Sequence, residues 1–228
     1  MILSCITDFG VGLCVTYLAA AGIVGWFGLF GVNVASELRA NPFYGKSQFI
    51  EDHLIYPMIS YQGWNLLLCF FNADLRDPAM IGHHLVTGSL AYFGLAPYLH
   101  YYGLFFFGVA ELTNVPLTIV DVFKYFPDLA KKLSILNELS RVSFAVSFIL
   151  LRLIVWPYFS YHFALGSIDL LTTNFHTKCH SGFVVGFFLF ANVFLTGLQF
   201  FWGSKIVGFL FKGNKKEKGD SKGEKKSK

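Results

Sequence analysis

Charge is what this sequence has least of. Of 228 residues only 14% are Asp, Glu, Lys or Arg, whereas 54% are hydrophobic and the mean hydropathy is +0.54. That balance excludes an ordinary soluble domain and implies a membrane protein. Cysteine is scarce too: Cys5, Cys14, Cys69 and Cys179 show no CxxC spacing and fall in separate segments, so neither a disulfide framework nor a zinc site is indicated. The repeated His-x-x-His-His boxes of membrane hydroxylases and desaturases are missing. His53, His100, His162, His176 and His180 form no second cluster, and His176 and His180, though spaced as on a helix, fall in a loop predicted to be lumenal. No metal is expected. There is no Asn-x-Ser/Thr sequon, and no inverted repeat of the kind that marks many transporters.

Long apolar stretches are abundant. An apolar helix of about 20 residues crosses the hydrocarbon core, and stretches bounded by charge or proline give six candidate spans. They are Phe9 to Ser36, Leu54 to Ala73, Ala79 to Ala96, Tyr98 to Val120, Val142 to Phe163 and Gly182 to Phe211. The first lacks a basic leading region and exceeds the apolar core of a signal peptide, so it is expected to remain as a helix. Pro78 to Ala110 is the longest stretch without charge. As one helix it would be about 50 Å long, more than a bilayer holds, so a pair of helices broken at Pro97 is predicted. The expected fold is all-α, a polytopic bundle of about six membrane helices.

Residues 212–228 hold eight Lys against Glu217, Asp220 and Glu224, a local excess larger than the net charge of +4 of the whole chain. Lacking interleaved aromatics and following an apolar helix directly, this stretch predicts a solvated tail near anionic headgroups and no nucleic-acid partner. Basic residues fix the expected orientation. Arg76, Lys124, Lys131, Lys132, Arg141 and the tail fall on one side, and only Arg39, Lys46 and Lys178 on the other, so both termini are predicted to be cytosolic. The sequence thus divides into an N-terminal helix and lumenal loop (1–50), a membrane domain (51–212) and a disordered basic tail (213–228). The final Lys225-Lys226-Ser227-Lys228 resembles a dilysine retrieval signal of the endoplasmic reticulum, which COPI coats recognise.

Polar residues inside apolar spans mark the candidate site, because each is costly in hydrocarbon unless a partner or a wet cavity receives it. His83 and His84 stand near the start of the charge-free stretch. Being consecutive, they point about 100° apart on a helix, so one is expected to act while the other orients. Thr87 is placed to bond on the His83 face, and Gly88 to admit a neighbouring helix. Glu111 and Arg152 each lie ten residues from a predicted cytosolic boundary, about 15 Å deep, where an ion pair can form. Asn114 and Thr118 are predicted to share the inward face of Glu111. Asn192, Thr196 and Gln199 repeat that arrangement on the last span. Interhelical hydrogen bonds of about 0.6 kcal/mol each would explain these residues without chemistry. Thr87, Asn114, Arg152 and Asn192 are the candidates for ligand contact.

Four stretches carry a family resemblance: DPAMIGHHLVTGSLAYFG, ELTNVPLTIVDVFKY, LNELSRVSFAVSFILLRLIVWPY and ANVFLTGLQFFWGSKIV. In this order, from about His53 to Phe211, they resemble the TLC-domain family, which includes translocation-associated membrane proteins and ceramide synthases. The resemblance implies a helix bundle of the endoplasmic reticulum around a cavity that takes a lipid chain. His83 and His84 match the double histidine of ceramide synthases. Glu111 stands where their His-Asp-x-x-Asp segment would begin, and no aspartate follows until Asp121. The Glu-Leu-Thr-Asn-x-Pro form is closer to the branch known only as TLC domain-containing proteins, tied to membrane lipid composition. Two readings follow. One is acyl transfer from acyl-CoA as co-substrate, with a histidine as base or acyl acceptor, Glu111 orienting it and Arg152 balancing charge. The other is a lipid sensor or trafficking factor without catalysis. Membrane lipids are the expected partners in both, and no bound cofactor is expected.

Overall fold

The computed structural model of the chain describes residues 2–71, 76–96, 98–173 and 181–224, with side chains from residue 10 to 209 within those ranges. Pro97, His176, Lys178, Cys179, His180 and the dilysine motif lie outside the described residues. Every regular element among the described residues is helical. The long ones are α1 (Ile2–Phe27), α3 (48–71), α4 (Pro78–Phe93), α5 (His100–Tyr125), α7 (Ser134–Thr172) and α8 (Gly182–Glu224); α2 (Val34–Arg39) and α6 (Pro127–Lys132) are short connectors. Among the described residues, four helices have the length and apolarity to cross a membrane: Gly10–Phe27 within α1, all of α5, all of α7, and Gly182–Phe209 within α8.

Helix ends explain where the predicted spans shift. The first was expected to reach Ser36, but α1 stops at Phe27 because Gly28 takes a left-handed conformation (φ 69°) that ends helices readily. α4 begins where Asp77 accepts a hydrogen bond from the Ala79 N–H at 2.8 Å with Pro78 in the first turn, a strong start signal. α4 and α5 are separate helices, as the long uncharged stretch predicts. The backbone of α8 stays helical to Glu224, past Gly213 where an unstructured tail is expected. Propagation from an existing helix needs no new nucleus, and Lys and Glu are good helix formers.

Three helices depart from α pitch just before a proline. α3 has a π turn at Glu51–Ile55 ahead of Pro57, α5 a 3₁₀ turn at Val109–Thr113 ahead of Pro116, and α7 a π turn at Ile149–Val155 ahead of Pro157. Proline lacks an N–H and its ring crowds the carbonyl four residues earlier, so the preceding turn must change its pitch.

Neighbour packing closes a circuit: α1 against α3 and α5, α5 against α7, α7 against α8, α8 against α4, and α4 against α3. Gly22 of α1 meets Gly108 of α5 backbone to backbone, where a Cβ on Gly108 would fall 2.6 Å from the Gly22 Cα. Only glycine fits at either position. The core includes Leu18, Leu54, Met58, Leu104 and Phe105, all almost fully buried.

Candidate functional site

Inside the circuit lies a narrow cavity of about 60 Å³. One water needs about 10–15 Å³ of such space, so it has room for several waters or one slim chain. Its lining follows helix periodicity. On α4, His83, Thr87, Leu90 and Gly94 face it at intervals of four, three and four residues, which spreads the wall over about 16 Å. α7 contributes Arg152, Trp156 and Phe163, and α8 Phe188, Asn192 and Leu195. α5 contributes Glu111 and four aromatic or glycine positions between Tyr102 and Phe107. The polar groups gather toward the His83 end, and the opposite end is mainly aromatic.

Glu111 and Arg152, each 5% exposed, meet with Arg152 Nη2 3.4 Å from Glu111 Oε1. Arg152 Nε also donates to Thr113 Oγ1 at 3.3 Å, and its guanidinium lies 5.2 Å from the centre of the Trp156 ring. Asn114 Nδ2 donates to Glu111 Oε2 at 2.6 Å. Glu111 therefore pairs with the arginine and not with the histidines, and the pair carries no net charge. Trp156 Nε1 in turn donates to Thr196 Oγ1 at 3.1 Å, and Asn192 Nδ2 to the Ser160 carbonyl at 3.1 Å, tying α8 to α7. These last bonds are the interhelical kind expected for that face.

The two histidines part company. His84 is buried with Nδ1 2.6 Å from Gln62 Oε1, and the Gln62 amide reaches Met58 Sδ at 3.1 Å. An amide oxygen only accepts, so His84 Nδ1 is the donor in this contact. His84 does not line the cavity. His83 does, with its ring edge-on to His84 (5.4 Å between centres) and to Trp202 (5.6 Å). His83 Nδ1 and Thr87 Oγ1 are both buried and have no hydrogen-bond partner among the described residues. A buried polar atom without a partner is expensive, and two in one cavity wall describe a site that a ligand's polar group or water completes.

Of the seven predicted site residues, His83, Thr87, Glu111, Arg152 and Asn192 line the cavity, Asn114 reaches it only through Glu111, and His84 turns toward α3. Thr87 makes no bond along its own face, contrary to expectation. Thr118 leaves the Glu111 face and packs on α1, where a Cβ on Gly12 would come within 2.5 Å of its methyl. The 3₁₀ turn at Val109–Thr113 advances about 120° per residue instead of 100°, which rotates the later residues away. Gly88 does admit its neighbour: a Cβ there would lie 3.2 Å from Gln62 Cβ. The sequence gives no warning of Thr113 or Trp156. Gln62 carried a usable signal, an amide within an apolar span.

A family model described as the TLC domain matches residues 13–208. The match begins within α1, well before His53, where the resemblance read from motifs starts. No curated protein and no solved structure matches the chain.

Proposed function

Because this chain belongs to the TLC-domain family of lipid-related membrane proteins, we propose that it binds a single hydrocarbon chain of a membrane lipid in the cavity between α4, α5, α7 and α8. The lipid's polar end meets His83 and Thr87. One observation carries this reading: an apolar slot in a membrane bundle ends in two buried, unpartnered polar atoms. Glu111 and Arg152 neutralise each other, so the site favours a polar group that hydrogen-bonds over one that needs a free cation. In the cell the protein would act in lipid homeostasis at the endoplasmic reticulum, with six crossings and both termini in the cytosol. α3 and α4 would supply the two crossings beyond the four long apolar helices.

Mass spectrometry of lipids that co-purify with the full chain tests this reading. The wild type should carry a defined lipid that Leu90→Trp, which fills the middle of the slot, fails to retain. An equal lipid profile in both would overturn it.

Acyl transfer from acyl-CoA is the second reading, and the position of His83 favours it. An imidazole with a free ring nitrogen inside a chain-binding cavity can remove a proton or hold an acyl group. Incubation with acyl-CoA and a long-chain amine should then give an amide product with wild type and none with His83→Ala. Absence of product from wild type would end this version while leaving lipid binding standing.

A further inference from the structure

Behind the aromatic end of the cavity lies a segment that belongs to none of the lining helices. Between α2 and α3, residues 43–47 reach across and attach to that end at several points. The Phe43 carbonyl accepts the Leu99 N–H at 3.0 Å, and the Ser47 N–H donates to His100 Nδ1 at 3.1 Å. His100 Nε2 then donates to the Gly94 carbonyl at 2.9 Å, so both ring nitrogens are used. Leu99 itself holds a left-handed conformation (φ 65°) although it is a buried leucine. Such a conformation persists only where its surroundings enforce it, and here the Phe43 and His100 bonds on either side of it do so.

The Phe43 ring sits directly behind the cavity wall. Its centre is 5.4 Å from that of Tyr102 and 6.4 Å from that of Phe163, both lining residues. It occupies the notch left by Gly166 on α7, where any Cβ would run into the ring. We infer that residues 43–47 are the stopper of the cavity, and that Phe43, packed behind Tyr102 and Phe163, sets the longest hydrocarbon chain the cavity admits. The inference rests on the reading of the cavity as a chain-binding slot. With Phe43 removed, Tyr102 and Phe163 gain space to retreat, and the slot deepens by part of a ring's length.

Saturated long-chain alcohols of increasing length, competing with a fluorescent lipid on the purified full chain, test it. Wild type should show a cut-off length beyond which competition falls. In Phe43→Ala, affinity for the first chains past that cut-off should rise about tenfold, the worth of two further buried methylenes, while shorter chains keep wild-type affinity. Phe43→Leu, which keeps apolar contact with Tyr102, should move the cut-off by less and provides the readout if the alanine variant does not fold. An unchanged cut-off in a folded variant, or equal weakening at all lengths, overturns the stopper. Failure of wild type to bind any chain removes the chain-binding reading itself, and the stopper with it.

Discussion

His83 and His100 stand at opposite ends of one cavity and are finished in opposite ways. His100 is 1% exposed with both ring nitrogens bonded, to the Ser47 N–H and the Gly94 carbonyl, so its chemistry is used up in holding three segments together. His83 presents a buried Nδ1 with no partner among the described residues. The residue type is the same and so is the burial of the critical atom. What separates a fastener from a reactive or ligand-binding group is whether the protein has already satisfied it. His84, beside His83 in sequence, belongs with His100, since Gln62 fixes its Nδ1.

The contrast can be sharpened by substitution. The largest effect is expected at the ion pair that frames the His83 end: Arg152→Ala leaves Glu111 buried without its cation and should lower stability by about 3–5 kcal/mol, read by thermal unfolding in detergent. The double change Glu111→Gln with Arg152→Met should recover most of that loss. Equal destabilisation by single and double variants would mean the pair does not act as a unit. Next comes His100→Ala, which strands a part-buried N–H and a buried carbonyl and should cost about 1–3 kcal/mol without a specific effect on the polar end of the ligand. Gln62→Leu should cost about 1–2 kcal/mol and release the His84 ring, visible as faster modification by an imidazole reagent. The smallest change in stability is expected from His83→Phe, under about 1 kcal/mol, because the ring keeps its contacts with Trp202 and no hydrogen bond is lost. Its lipid retention should nevertheless fall clearly. If His83→Phe destabilises as much as His100→Ala while retaining lipid, the two ends are not different in kind.

Much of the His83 end was legible in the sequence because polar groups are conspicuous against an apolar background. His83, Thr87, Glu111, Arg152 and Asn192 announce themselves by being costly where they stand, and the cavity collects all five. The equal depth of Glu111 and Arg152 even indicates their pairing. The other end was not legible. Phe43, Tyr102 and Phe163 are ordinary among 27 Phe and 11 Tyr, and nothing local says that a connector between α2 and α3 will meet α5 and α7. Long-range contact between apolar groups leaves no trace in composition or period. The displacement of Thr118 had a readable cause in Pro116, since a proline within a helical run signals a change of pitch just before it.

The widened turn before Pro157 has a further consequence. A π turn accommodates an extra residue without lengthening the helix by a full step, so it sets the angular phase of everything after it. Arg152 lies within that turn, while Trp156 and Phe163 lie beyond it. A deletion of one residue there, leaving Arg152 in place, would let α7 relax to regular winding with Trp156 and Phe163 close to their present direction, whereas the same deletion in a regular turn would swing everything beyond it about 100° around the axis. Within α7, tolerance to single-residue deletion should therefore be best in this short stretch, although it holds the buried Arg152.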